Sequence, residues 1–287
     1  MSDVLTIASQ CEVNAPESER KDLASVEKSL TKTYKKDIWS KFTKAIKDFE
    51  MIEEGDKVAV AISGGKDSLI MAKLFQELKK HKKMNFEVVY ITMDPGYHPN
   101  VRKLHEDNCE FLQIPIQTYE SRIFEVVGDI ANKMPCYLCA KMRRGFLYTR
   151  AKELGCNKLA LGHHYDDVIE TVMLNILYAG SIRTMMPKLK ASNFDGIELI
   201  RPMYYIREKD IIRWASFSGI WPLNCACMVA AKRTSNKRYE IKAMIEELKK
   251  SNPDVEKCIF SSVMNVDMEA ILGWKIDGEK HSFLDEY

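Results

Sequence analysis

The stretch Val58-Ala59-Val60-Ala61-Ile62-Ser63-Gly64-Gly65-Lys66-Asp67-Ser68 decides how the rest of the chain is read. Gly55 and Asp56 punctuate the chain, and the unbroken apolar run that follows is the signal of a strand buried on both faces, as in a parallel sheet. The polar turn after it leads into a helical stretch that reaches about Lys80. Strand, glycine turn and helix in this order make a phosphate cradle, because the glycines let backbone N–H groups turn inward and the helix N-terminus adds partial positive charge. Ser63 and Ser68 supply hydroxyl donors, and Lys66 a positive charge. The spacing is neither Gly-x-x-x-x-Gly-Lys-Ser/Thr nor Gly-x-Gly-x-x-Gly, so two common nucleotide motifs do not apply.

Outward from this stretch the pattern alternates. A second strand, Phe86 to Met93, ends at Asp94-Pro95-Gly96, and a helix with Val101, Leu104 and Cys109 leads to a third strand near Phe111 to Pro115. A helix at about 121 to 132 follows, then one opened by the Cys136 segment and running towards Leu154. Leu159-Ala160-Leu161-Gly162 is a short buried strand that feeds His163-His164-Tyr165-Asp166-Asp167 and a helix to Tyr178. Residues 197–203 read as a further strand, 207–218 as a helix and 235–250 as a charged helix. The reading is an α/β fold: an open, parallel, five-stranded sheet with helices on both faces, Rossmann-like, whose ligands gather at the carboxyl ends of the strands. Residues 1–29 form a polar leader. Residues 30–53 form a basic helix, in which Tyr34, Ile38, Phe42, Ile46 and Phe49 interleave with lysines, and 54–220 form the α/β domain. Residues 221–287 are a C-terminal helical segment.

Composition bounds the function. With 287 residues, 46% hydrophobic and 29% charged, the chain has the makeup of a globular protein, not a disordered one. No apolar run approaches the roughly 20 residues of a membrane helix. The first residues lack a secretory signal, so a cytoplasmic location is expected and the eight cysteines are read as thiols. A net charge of +2 confines any nucleic-acid surface to a local patch. Lys141, Arg143 and Arg144, with Lys232, Arg233, Lys237 and Arg238, are the candidates, and solvated helix faces are the plain alternative. Tyr204, Tyr205, Trp214 and Trp221 are assigned to the core, and the isolated Cys11, Cys109, Cys156 and Cys258 to burial as small hydrophobes.

The remaining cysteines are grouped. Cys136 and Cys139, three apart, would share one face of a helix's first turn, and Cys225 or Cys227 adds a third thiol from far along the chain. Such a set suits a zinc ion held by all four sulfurs or a 4Fe-4S cluster, and spacing leaves both open. Asp166 and Asp167 stand at the start of a helix, where carboxylates also act as caps.

Taken together, Ile52-Glu53-Glu54-Gly55-Asp56, Ser63 to Ser68, Pro135-Cys136-Tyr137-Leu138-Cys139, Arg143-Arg144-Gly145, Gly162 to Asp167 and Arg201-Pro202 resemble the PP-loop ATP pyrophosphatases. Within them the chain resembles the tRNA 2-thiocytidine synthetase family of iron–sulfur thiolases over residues 30 to 265. The resemblance implies an enzyme that uses ATP to adenylate a pyrimidine carbonyl, releases pyrophosphate, and replaces the oxygen by sulfur, with cytidine 32 of tRNA the suggested base. It implies an ATP site of Ser63, Gly64, Gly65, Lys66, Asp67 and Ser68 with Asp94, Gly162 and His163, and a magnesium ion at Asp67. Asp67, Asp166, Asp167 and Cys225 are the implied catalytic residues, and Lys141, Arg143 and Arg144 the implied RNA contacts. It implies a 4Fe-4S cluster on Cys136, Cys139 and Cys227 with one open iron, a sulfur donor (sulfide or a cysteine-desulfurase system), and a homodimer. The third cysteine site departs from the family's Pro-Cys-x-x-Cys, reading Leu223-Asn224-Cys225-Ala226-Cys227. That keeps Cys225 open as an alternative ligand, a sulfur carrier, or a fourth ligand that would close the site. Thiolation of a uridine, or a PP-loop ligase or amidotransferase with structural zinc, is the alternative activity.

Overall fold

The computed structural model describes residues 19–121, 123, 135–223, 228–285 and 287, with side chains described throughout except over 135–140 and 228–236. The chain divides into two units, Met1–Val168 with Met186–Arg238, and Ile169–Met185 with Tyr239–Tyr287.

The first unit opens with α1 (Leu23–Thr31), a short π-helical turn (Lys35–Trp39) and α2 (Ser40–Asp48). The Asp22 side chain caps α1 by accepting from the Ser25 N–H at 2.9 Å, and Val26, Ser29 and Leu30 bury one stripe of it. Residues 23–29 are therefore packed helix where a polar leader was expected. The charged positions between the apolar ones hide the stripe, and one of them, Glu27, is tied down by the buried Lys73 at 2.7 Å. Residues 1–18 of that leader lie outside the described residues.

Alternation then sets in with β1 (Lys57–Ala61), α3 (Lys66–Lys80), β2 (Glu87–Asp94), α4 (Pro99–Phe111), β3 (Ile116–Glu120), α5 (Pro135–Glu153), β4 (Lys158–Ala160), α6 (Tyr165–Ala179), β5 (Lys188–Lys190), β6 (Glu198–Ile200), α7 (Glu208–Ser218) and α8 (Met228–Ser251). The expected helix at 121–132 falls almost wholly outside the described residues. The sheet order is β3-β2-β1-β4-β6-β5, parallel except for β5, which pairs antiparallel with β6 at the edge. The sheet thus has six strands, not five. Lys188-Leu189-Lys190 is too short and too charged to read as a strand, which is how edge strands are commonly blunted. The third strand also lies later than expected. The apolar residues Leu112 and Ile114 are buried in the α4–β3 connection, and the ladder begins at Ile116.

Helices cover both faces of this sheet. On α3, Leu69, Ile70, Met71, Leu74 and Phe75 are fully buried; each such side chain contributes about 1.5–3 kcal/mol on leaving water. A second cluster joins Ala59, Ile91, Leu159 and Leu199 of the strands to Ala151 of α5 and to Cys156. Cys109 and Cys156 are buried as expected. From β1 the chain moves out to β2 and β3 on one side and then crosses to β4 on the other. A switch of this kind opens a crevice at the carboxyl ends, between the loops that follow β1 and β4.

In the second unit, α9 (Val255–Ser262) is followed by a hairpin of β7 (Gly273–Ile276) and β8 (Glu279–Ser282). The C-terminal segment is therefore not purely helical. The turn residues Asp277 and Gly278 have φ of 51° and 90°, the mirror-image turn that two-residue hairpins need, and Trp274 stacks on its cross-strand partner His281 with ring centroids 5.6 Å apart. Cys258 of α9 is exposed, not buried.

Candidate active site

The β1–α3 turn is built around Gly64, whose φ of +80° is a left-handed conformation that favours glycine. A Cβ there would come within 2.5 Å of Leu223 Cδ1 and 2.7 Å of His105 Nδ1, so the backbone is also closed in from behind. Ser68 Oγ accepts from the Ser63 N–H at 3.1 Å and donates to Gly65 O at 2.9 Å, folding the turn back on its own helix. The Gly64 carbonyl is taken by the Leu223 N–H at 2.9 Å. What is left at the helix start is a concave backbone turn with Ser63 exposed, the form that a phosphate fills.

Two residues of α4 support the turn. His105 Nε2 lies 2.9 Å from Thr92 Oγ1, and that hydroxyl donates its only proton to Ile62 O at 2.6 Å, so the histidine donates through Nε2 and its unprotonated Nδ1, 3.9 Å from Cys109 Sγ, lies towards Gly64. Burial pushes His105 down to about 4. One turn on, the fully buried Asn108 donates to Trp221 O at 2.5 Å and accepts from the Trp221 N–H at 3.4 Å, seating the strand of chain that ends on Gly64.

Across the crevice, the β4–α6 loop comes close because Gly162 has no side chain: a Cβ would stand 3.2–3.3 Å from backbone atoms of Asp67 and Ser68. His164, buried, is the hub of the acidic cluster. Its Nε2 lies 3.9 Å from Asp67 Oδ1, and its Nδ1 lies 3.7 Å from Asp166 and 3.5 Å from Asp167. Asp67 also lies 3.2 Å from Lys66, which is 3.1 Å from Glu208. Burial raises the Asp67 carboxyl above its usual range despite Lys66 and His164. Its Oδ1 is buried and, among the described residues, accepts no hydrogen bond. Burial also opposes the charge of Lys66, but Asp67 and Glu208 more than restore it.

The two adjacent carboxylates have different surroundings. Asp167 accepts from the His164 N–H at 3.0 Å and pairs with Arg238 at 2.9 Å; burial works against its charge, and the pull of His164, its N–H and Arg238 outweighs burial and holds it below the usual range. Asp166, expected as a catalytic carboxylate, accepts from the Glu208 N–H at 2.7 Å and pairs with Arg207 at 3.3 Å, while also lying 3.7 Å from His164. It caps α7, and its oxygens are taken up by that cap. Asp94 is engaged in a similar way: Oδ1 accepts from the N–H groups of Gly96 and Tyr97 at 2.8 and 2.7 Å, and Oδ2 lies 2.7 Å from Arg102. Burial, with Arg201 next in weight, pushes His163 down to about 4, so its imidazole is neutral at neutral pH.

Helix α5 starts at Pro135, which places Cys136 and Cys139 in its first turn; their side chains, and residues 224–227 with Cys225 and Cys227, lie outside the described residues. Lys141 and Arg144 on the same helix are exposed, and Arg143 is half-buried. Lys237 is exposed, Arg238 belongs to the acidic cluster, and the side chains of Lys232 and Arg233 lie outside the described residues. Tyr204 and Trp214 are buried in the core, while Tyr205 and Trp221 are half-buried. Sequence reading offers His163 and His164 for proton transfer, with packing or a surface position as the alternative for His164, and gives His105 no role. The signal for His164 is its position three residues before Asp167, the spacing of a reciprocal helix-start pair. His105 has no local motif, because its partner turn is far away along the chain.

The site suits magnesium with ATP. Such an ion needs only one or two carboxylates besides phosphate oxygens and water, and a buried carboxylate oxygen with nothing bound to it stands at the phosphate cradle. No group of three or more His, Cys, Asp or Glu among the described residues could hold a metal by itself. The thiols at 136, 139, 225 and 227 are soft donors of the kind that bind iron–sulfur clusters. No helix among the described residues is long and apolar enough to cross a membrane.

The PP-loop domain family matches residues 34–221. The tRNA-cytidine(32) 2-sulfurtransferase of Citrifermentans bemidjiense is 36% identical over 232 residues, covering 80% of this chain and 90% of that protein. The enzyme of the same name from Tolumonas auensis is 37% identical over 237 residues, covering 81% and 76%. Among solved structures, the U34-tRNA thiolase NcsA from Methanococcus maripaludis with its 4Fe-4S cluster superimposes with a TM-score of 0.63 over 83% of this chain and 81% of that one, at 24% identity, which bears on the fold alone.

Proposed function

The chain belongs to the PP-loop domain family, and from that membership we propose that it is an ATP-dependent tRNA sulfurtransferase that makes 2-thiocytidine at position 32. The observation that carries the reading is the crevice at the sheet switch, where the Ser63–Ser68 turn faces the Gly162–Asp167 loop across the orphaned Asp67 Oδ1.

A carbonyl oxygen is a poor leaving group, and the chemistry must first improve it. The cytosine O2 attacks the α-phosphorus of ATP, the bond from that phosphorus to the bridging oxygen breaks, and pyrophosphate departs. A sulfur nucleophile then bonds to C2, and the C2–O2 bond breaks with AMP leaving. The backbone N–H groups and hydroxyls of Ser63–Ser68 hold the β- and γ-phosphates and draw off the charge that builds as pyrophosphate leaves. Lys66, now between Asp67 and Glu208, turns to phosphate oxygen when the nucleotide enters. Asp67 would hold magnesium, which supplies further charge neutralisation on the phosphates. Asp167, kept ionised, orients His164, and the neutral His163 would accept a proton from the cytosine exocyclic amino group, which becomes acidic once O2 carries AMP. Asp94 and Asp166 shape the two neighbouring turns.

Cys136, Cys139 and Cys227 would hold a 4Fe-4S cluster, which when bound supplies an open iron for the incoming sulfur. Cys225 then remains available beside the third ligand. Sulfide or a cysteine-desulfurase system provides the sulfur. Lys141, Arg143 and Arg144, leaving the cysteine helix, would grip the RNA backbone.

The test is release of pyrophosphate and AMP from ATP in the presence of unmodified tRNA. The wild-type holoenzyme should release both in step with sulfur incorporation, and Asp67→Ala should lose at least a hundredfold in rate while keeping its iron content. Equal rates for the variant would remove Asp67 from the site.

A further inference from the structure

Arg201 has no place in the mechanism above, and its surroundings are unusual. It follows β6 directly, and because the Leu161 N–H donates to Ile200 O at 3.0 Å, it emerges opposite the Gly162–His163 loop at the carboxyl edge of the sheet. Only 6% of it is exposed. A guanidinium this deep is normally paired with a carboxylate, because an uncompensated buried charge is costly. Among the described residues no carboxylate lies within ion-pairing distance of it. One terminal nitrogen donates to Met186 O, and the Nε–H, buried, has no partner. A second buried atom without a partner, His163 Nδ1, belongs to the neighbouring loop, and Arg201 is close enough to push that histidine away from its protonated form. Arg144 adds a second positive charge in the vicinity, and Asp167 opposes it more weakly from beyond ion-pairing distance. Among the described residues, a desolvated guanidinium thus stands at a ligand crevice with one donor on Met186 O and no carboxylate paired to it.

We infer that Arg201 is a phosphate-binding residue, its free guanidinium edge reserved for the oxygens of a phosphoryl group that enters the crevice with the substrates. Arginine presents parallel N–H donors that fit two phosphate oxygens at once, and in a water-poor site that pairing is strong. The inference deepens the proposed function and relies on it for one point, namely which phosphates are at hand: the α-phosphate of the nucleotide, or a backbone phosphate of the RNA next to the reacting base. The chemistry recognised is the same, and binding measurements separate the two.

The experiment compares wild-type holoenzyme with Arg201→Met and Arg201→Lys, using equilibrium binding of α,β-methylene-ATP with magnesium, equilibrium binding of unmodified tRNA over a range of salt, and thermal melts without ligand. Arg201→Met should bind one of the two ligands at least tenfold more weakly, and Arg201→Lys should recover part of the loss. Its ligand-free melting temperature should equal or exceed that of wild type, because an apolar side chain of similar length removes an unpaired buried charge. Loss confined to the nucleotide assigns the α-phosphate, and loss confined to tRNA with a shallower salt dependence assigns the RNA backbone. Both affinities within twofold of wild type would overturn the inference, and so would a lowered melting temperature with unchanged binding, which would make Arg201 a structural donor to Met186. Should Arg201→Met not fold, Arg201→Lys carries the same comparison, since it keeps the charge and loses the fork. The binding readouts do not depend on thiolation, so a wild-type enzyme inactive on tRNA would fail the functional reading and leave this one standing or falling separately.

Discussion

Gly64 concentrates several constraints on one residue. Its φ of +80°, the Leu223 side chain and His105 Nδ1 all exclude a Cβ, and its carbonyl is held by the Leu223 N–H. Gly64→Ala combines left-handed strain of about 1–2 kcal/mol with overpacking of about 1–3 kcal/mol, and should lower stability by about 2–5 kcal/mol in a denaturant titration. It should also weaken ATP binding more than any substitution on the outer face of α3. A variant with wild-type stability would mean that the turn relaxes more easily than its packing suggests. The need for glycine here was legible in the sequence from the strand, turn and helix order. The acidic pair was legible only as a pair. That Asp166 caps α7 while Asp167 pairs with Arg238 depends on partners about forty and seventy residues away, and no local pattern carries such information.

Helix α4 illustrates how an element can serve a site without entering it. His105 and Asn108, on successive turns, back the phosphate turn, His105 behind Gly64 and Asn108 on the Trp221 backbone. Burial holds His105 at about 4, well below its value of about 6.5 in an unfolded chain. The neutral form is therefore the one the fold favours. The stabilisation is complete above pH 6.5 and is lost as pH falls from there to about 4, where the unfolded chain takes up a proton that the native one resists. The shift corresponds to roughly 3 kcal/mol. Unfolding free energy followed from pH 7 to 4.5 should fall more steeply for wild type than for His105→Gln, and equal slopes would exclude His105 as a source of the acid sensitivity. At this scale the sequence conveyed the parallel strands through their apolar runs. It did not reveal β5, whose Lys-Leu-Lys resembles a loop, or the β7–β8 hairpin, although Asp277-Gly278 is a strong hairpin signal once the flanking residues are read in alternation.

For the whole molecule, the sheet switch places the phosphate turn and the β4 loop on one crevice, and the chain that seats the phosphate turn, ending at Leu223, runs directly into Asn224-Cys225-Ala226-Cys227. The sequence alone joined these parts only through the resemblance to known thiolases, because cysteines nearly ninety residues apart have no spacing rule. Cys136→Ser, purified without oxygen, should lose the brown visible absorbance and most of its iron and sulfide, yet still bind α,β-methylene-ATP within about threefold of wild type. Retained colour would reassign the ligands. The most direct measurement of the central claim is nucleoside mass spectrometry of unmodified tRNA after incubation with the anaerobically prepared holoenzyme, ATP, magnesium and sulfide. The account predicts 2-thiocytidine, localised to position 32 and absent when ATP is omitted. ATP-independent thiolation, or pyrophosphate release with no sulfur entering the RNA, would contradict it.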